Sequence, residues 1–244
     1  MKAVETMNLT RRFGEKTAVD ALNLTIQEGE LFSLLGVNGA GKTTTIRMLS
    51  CLLPPTEGDA LLLGDSVVTQ PALVKAKINV SPQETAVARK LTVHENLILM
   101  AELYGCSRPE AKARAEEMLS ALSLTDVARS RASVLSGGMQ RRLSIAMALI
   151  TRPRILFLDE PTLGLDVLAR RELWQLITRL KGSMTILLTT HYMEEAEALS
   201  DRIGVMSKGR LKAVGTVQEL TEATQTCSLE DAFVALAAGE EAEV

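Results

Sequence analysis

Residues 31–44, LFSLLGVNGAGKTT, constrain this chain more than any other stretch. Five apolar or small residues, Leu31 to Leu35, predict a buried strand, and Gly36 through Thr43 then spell G-x-x-x-x-G-K-T. Glycines let a backbone wrap closely round an anion, with successive N–H groups pointing inward. The helix expected to begin near Lys42 adds its unpaired amides and the positive end of its dipole. Lys42 can then reach the β- and γ-phosphates of a nucleotide, and the Thr43 hydroxyl can ligate Mg²⁺. A glycine-rich turn with an incidental lysine is the plainer alternative, but it requires neither the strand before nor the helix after.

Two later stretches carry chemistry suited to a bound triphosphate. In RILFLDEP, residues 154–161, four apolar residues predict a central strand that ends in two carboxylates and a proline. Asp159 at the strand end can hold Mg²⁺ through water. Glu160, one residue further and pointing differently, can polarise an attacking water. Adjacent acids after a buried strand are costly unless a cation or hydrogen bonds satisfy them, which argues against a purely structural role. TILLT, residues 185–189, predicts the next buried strand, and His191 follows it, placed to hydrogen-bond a γ-phosphate and hold water and glutamate in line. Of the two histidines in the chain, the other, His94, sits near a helix start and reads as structural.

Three features are ambiguous by themselves. Phe13, followed by Gly14, either stacks on an adenine ring or packs in the core like most phenylalanines. Gln83 in SPQET, just beyond a strand, either binds Mg²⁺ and orients water or is an ordinary surface glutamine. Ser136, Gly137 and Gly138, in LSGGMQRR, either offer a second phosphate contact at a helix start or are an N-cap serine followed by flexible glycines.

Around these motifs the pattern predicts an α/β fold: a P-loop NTPase sheet core with an antiparallel β subdomain and an inserted α-helical subdomain. Strands over about 2–9 and 18–26 precede the phosphate loop, and a helix over 42–53 stops at Pro54–Pro55. Short strands are expected at 60–63 and 77–80. Thr92 with Glu95 forms a capping box that opens the helical insertion, continued by helices over 109–122 and around 143–149. Beyond the acids come a helix over 167–181, another over 193–199, a strand over 203–206, a turn at Lys208–Gly209 and a short amphipathic helix over 229–236. The expected division is an ATPase domain over 1–224, with its helical subdomain at about 88–150, then a C-terminal amphipathic helix and acidic tail over 225–244.

With 46% hydrophobic residues but only 3% aromatic, aliphatic side chains and methionine must fill the core. A net charge of -3 without a basic run argues against nucleic-acid binding. Three scattered cysteines make neither a disulfide framework nor a zinc site. No stretch is long and apolar enough to span a bilayer and the first residues lack a signal-peptide core, so the sequence reads as cytosolic.

Taken together, the motifs resemble the ATP-binding cassette ATPase family, the nucleotide-binding subunits of membrane transporters, over roughly residues 2–220. GVNGAGKTT matches the family's phosphate loop, which puts Gly36, Asn38, Gly39, Ala40, Gly41, Lys42, Thr43 and Thr44 on nucleotide-binding positions. LSGGMQ matches the signature sequence, ILFLDEP the Walker B strand with its glutamate, and TLGLD, with Asp166, the D-loop. Gln83 and His191 fit the Q-loop and H-loop, and Phe13 fits the adenine-stacking position, more often tyrosine in relatives. The 94 positions that separate Ser136 from Lys42 leave room for the helical subdomain. Val37 and Val167 stand where proline is common and remove no functional atom.

The resemblance implies ATP and Mg²⁺ as cofactors, hydrolysis with Glu160, His191 and Gln83 as the catalytic set, and Thr43, Gln83 and Asp159 around the metal. It also implies a head-to-tail dimer with a second copy, in which Ser136–Gly138 of one chain and the phosphate loop of the other sandwich each ATP. Motion would pass to a separate polytopic membrane permease from a peripheral position on the cytoplasmic side of the cell membrane. The short spacing from phosphate loop to signature and the late SLEDAF helix resemble ATPases of drug, lipid or polysaccharide exporters. The alternative is a soluble or regulatory ATPase of the same family that moves no substrate itself.

Overall fold

The structure, a computed structural model, describes residues 1–238; the expected acidic tail, residues 239–244, lies outside the described residues. An antiparallel sheet is built from β1 (Lys2–Phe13), β2 (Lys16–Leu22), β3 (Thr25–Gln27), β5 (Glu57–Leu62) and β6 (Asp65–Ser66). The main sheet contains β4 (Leu31–Leu35), β7 (Ile78–Ser81), β8 (Ile155–Asp159), β9 (Thr185–Thr190), β10 (Arg202–Ser207) and β11 (Arg210–Gly215), ordered β11-β10-β4-β9-β8-β7. Its strands run parallel except β11, which returns against β10 through the Lys208–Gly209 turn. The helices are α1 (Lys42–Leu49), α2 (Pro71–Lys75), α3 (Val93–Leu103), α4 (Arg108–Ala121), α5 (Gly137–Leu149), α6 (Val167–Leu180), α7 (Met193–Leu199), α8 (Val217–Thr224) and α9 (Leu229–Ala238). No helix among the described residues is long and apolar enough to cross a membrane.

The central strands are apolar on both faces because both are covered. With a side-chain period of two, β8 sends Leu156 and Leu158 to one side, where they join Ile186 and Leu188 against α3, α4, α5 and α6. Ile155 and Phe157 point the other way and meet Leu187, Phe32, Leu34 and the antiparallel sheet, with α1 between. A third apolar cluster joins Leu35, Ile203 and Val205 to Leu220 of α8 and to Leu229 and Phe233 of α9.

The strand expected over 18–26 is two strands on one partner. β2 pairs Leu22 with Leu9, whereas β3 pairs Ile26 with Val4. At the break the Thr6 hydroxyl donates to the Leu22 carbonyl and accepts from the Leu24 amide, both at 2.8 Å, so a side chain replaces ladder bonds. α1 ends at Leu49, short of the prolines. The Ser50 hydroxyl takes up the Ile46 carbonyl at 2.7 Å and Cys51 turns left-handed, which closes the helix earlier. The capping box is complete: the Glu95 amide donates to Thr92 Oγ1 at 3.1 Å, and the Thr92 amide donates back to Glu95 Oε2 at 2.8 Å.

Candidate active site

The loop between β4 and α1 borders a cavity of about 580 Å³ lined by Asn38 to Thr44, Phe13, Lys16, Ala18, Gln83 and Glu160. No side chain caps α1, so its first-turn amides face this space without a side-chain acceptor. A Cβ on Gly39 would meet nothing within 4 Å, whereas one on Gly41, at φ +107°, would strike the Ala18 carbonyl at 2.5 Å. The antiparallel sheet thus presses one glycine of the loop while the other stays open toward the cavity. Gly36 lies behind the loop, its amide on the Thr190 carbonyl at 3.2 Å and its own carbonyl accepting from Lys42 Nζ at 2.7 Å.

Three adjacent strands deliver the charged groups. β8 ends in Asp159, whose Oδ1 accepts from the hydroxyls of Thr189 at 2.6 Å and Thr43 at 3.1 Å. Glu160 follows at φ +48°, held by its amide on the Thr189 carbonyl at 3.1 Å. Its Oε1 lies 3.1 Å from Lys42 Nζ and its Oε2 lies 2.7 Å from His191 Nδ1. Lysine, glutamate and histidine therefore form one line from α1 to the end of β9, with Glu160 only 6% exposed.

Phe13 is outside the core, 47% exposed at the cavity edge, with the Arg11 guanidinium 4.6 Å above its ring. Gln83 also borders the cavity. Ser136, Gly137, Gly138 and Asp166 do not. The Ser136 side chain caps α5 by accepting from the Met139 amide at 3.3 Å. Gly137 lines a second hollow with Gln83, Gln140, Arg141 and Leu165. Asp166 caps α6, its Oδ1 accepting from the Leu168 and Ala169 amides, both at 2.9 Å. His94 lies 3.2 Å from Glu116, tying α3 to α4 away from the cavity.

Several contributors escaped the sequence reading. Lys16 and Ala18 line the cavity from β2. Thr189 buttresses both acids, its hydroxyl donating to Asp159 Oδ1 at 2.6 Å and accepting from the Glu160 amide at 3.1 Å; in sequence it is one of three threonines in the six-residue β9 and nothing local singles it out. Arg141, one of two successive arginines, is 4% exposed and reaches the Asp159 and Glu160 carbonyls.

A family model described as ABC transporter matches residues 19–163. The linearmycin resistance ATP-binding protein LnrL of Bacillus subtilis is 42% identical over 214 residues, 87% of this chain and 69% of that protein. The daunorubicin/doxorubicin resistance ATP-binding protein DrrA of Streptomyces peucetius is 43% identical over 220 residues, 90% of this chain and 67% of that one. Among solved structures, the ATP-binding cassette MJ0796, a dimer in a post-hydrolysis state bound to ADP and Pi, superposes with a TM-score of 0.79 at 29% identity, covering 87% of this chain and 98% of that one.

Proposed function

The chain belongs to the ABC transporter family, and from that premise we propose that it is the ATP-hydrolysing subunit of an exporter, acting through a separate transmembrane permease. One observation carries this reading: a buried glutamate held between the phosphate-loop lysine and a histidine, at the edge of a cavity that the loop lines.

The uncapped start of α1 and the open face of Gly39 fit a triphosphate, and Phe13 offers an exposed ring for the adenine. The Thr43 hydroxyl and Asp159 carboxylate, 3.1 Å apart, are hard oxygen donors suited to Mg²⁺, with Gln83 at the same cavity. Bound there, Mg²⁺ would neutralise charge on the β- and γ-phosphates. Lys42 serves the same phosphates. Glu160 accepts a proton from the attacking water, and His191 fixes the direction of that carboxylate through its Nδ1 contact.

Ser136, Gly138 and Asp166 do not border the cavity of their own chain, which supports a second copy docking head to tail to supply them. The ATP-binding cassette MJ0796 has itself been solved as a dimer. ATP binding closes this pair, hydrolysis opens it, and the permease is moved by the population shift. The roles of LnrL and DrrA in drug resistance support a drug-like cargo, and work through a membrane permease fits a peripheral position on the cytoplasmic face of the membrane.

The test pairs ATPase assays with gel filtration and with purification of the tagged chain from detergent-solubilised membranes. Glu160→Gln is expected to lower hydrolysis by about 10²–10⁴-fold and to hold an ATP-bound dimer, while a polytopic protein co-purifies in stoichiometric amount. An unchanged rate in Glu160→Gln, or recovery from the soluble fraction alone, overturns the reading.

A further inference from the structure

Arg141 sits one turn into α5, and its guanidinium is saturated by main-chain carbonyls from two separate segments. Nε donates to Pro161 at 2.7 Å. Nη1 donates to Pro82 and, at 3.2 Å, to Gln83. Nη2 donates to Asp159 at 2.7 Å and Glu160 at 2.6 Å. All five N–H groups are used, and none of the acceptors is a carboxylate. Burial pushes the guanidinium down to about 10, against the opposing pull of Asp159, Glu195 and Glu160.

A buried cation of this kind is a poor choice for filling volume, since apolar side chains do that without the desolvation cost. What it supplies is geometry. Glu160 holds a left-handed backbone, which is strained in a non-glycine residue and persists only where its surroundings over-determine it. Arg141 grips the carbonyls of the two peptides that flank the Glu160 α-carbon, together with that of Pro161. The same planar fork holds Pro82 and Gln83, so Gln83 and Glu160, which border one cavity, are set against each other by a single side chain. The helix carrying that side chain begins at the Ser136 cap.

We propose that Arg141 is a positioning residue for hydrolysis: it fixes the backbone of Glu160 and the Gln83 loop in one register relative to α5, without touching nucleotide. A displacement of the Gln83 loop or of the Ser136–Gly138 end of α5 would then reach Glu160 through this guanidinium. The proposal rests on the ATPase reading for its kinetic consequence alone; its structural consequence stands apart from it.

The test uses the full chain with Arg141→Lys, which keeps the charge but has three donors in place of five, and Arg141→Gln, which is neutral. Arg141→Lys is expected to lower kcat by about 10²-fold, the scale of a 1 Å misplacement, while KM and equilibrium ATP affinity stay near wild type. Hydrogen exchange is expected to quicken over residues 82–85 and 159–165 and to stay unchanged over 36–44. Wild-type kcat in Arg141→Lys with unchanged exchange overturns the proposal. So does parallel loss of ATP binding and turnover, or failure of both variants to fold, since each assigns Arg141 to bulk stability. Should the wild-type chain hydrolyse no ATP, the ATPase reading fails, and the exchange pattern alone still decides the role of Arg141.

Discussion

Lys42 Nζ stands 3.1 Å from Glu160 Oε1, on side chains that are 4% and 7% exposed. The lysine also donates to the carbonyls of Gly36 and Val37, so a triphosphate must draw it from acceptors it already has. Removing one member of a buried pair leaves the other uncompensated, typically at about 3–5 kcal/mol. In nucleotide-free protein, Lys42→Met and Glu160→Gln should therefore couple by about 1–3 kcal/mol in a double-mutant cycle of urea unfolding. Strict additivity would show that the two groups do not stabilise each other.

His191 Nδ1 lies 2.7 Å from Glu160 Oε2, and the His191 ring rests against Tyr192 with centroids 4.1 Å apart. His191→Ala should lower single-turnover hydrolysis by about 10²–10⁴-fold and leave ATP affinity nearly unchanged. Equal losses in binding and turnover would place the histidine's contribution in the ground state instead.

Asp166 separates a local role from one in the pair. As the N-cap of α6 it accepts two amides. Asp166→Ala should cost about 1 kcal/mol and lower Tm by about 2–4 °C. Asp166→Asn keeps the cap and should keep Tm. If Asp166→Asn nonetheless weakens the ATP-bound dimer on gel filtration, the carboxylate serves the partner; an intact dimer confines it to capping.

Glu195 is wholly buried on α7, with the Trp174 indole donating to its Oε1 at 3.1 Å. Burial raises its carboxyl above the ordinary range, against the neighbouring hydroxyls of Thr190 and Thr162 and the indole, which favour the charged form. A folded state that holds the proton more tightly than the unfolded chain loses stability as pH rises from the unfolded carboxylate value, about 4.3, through the raised folded value. Glu195→Gln keeps the indole contact and removes the titration. Its Tm should exceed wild type at pH 8 and converge toward it near pH 4, with about 2–4 °C for each kcal/mol relieved. A constant difference across that range would exclude Glu195 as the titrating group.

The phosphate loop and the two acids were legible because their chemistry lies in local spacing: glycines and a lysine in one turn, carboxylates at one strand end. Their convergence was not. Lys42, Glu160 and His191 meet only because β4, β9 and β8 are neighbours, an order that runs against the chain and leaves no local trace. Arg141 and Arg142 look alike in sequence, yet one is buried on carbonyls and the other pairs with Glu172 on the surface of α6. α8 was overlooked although Thr216 and Glu219 form a complete capping box, because it buries a single apolar side chain, Leu220. The exposure of Phe13 at the cavity edge is set by how β1 and β2 pack beside the phosphate loop, which local sequence does not reveal.

Gln83 borders both hollows, one beside the phosphate loop and one beside Gly137. In the proposed pair the phosphate-loop cavity of one copy is completed by Ser136–Gly138 of the other, so a solitary chain carries two incomplete halves and no whole one. Specific activity should then climb with protein concentration at saturating ATP, the total rate approaching second order in protein in dilute solution. Dilution alone would silence intact molecules, and the permease, by holding two copies side by side, would act as a local concentrator before it acts as a channel for anything else.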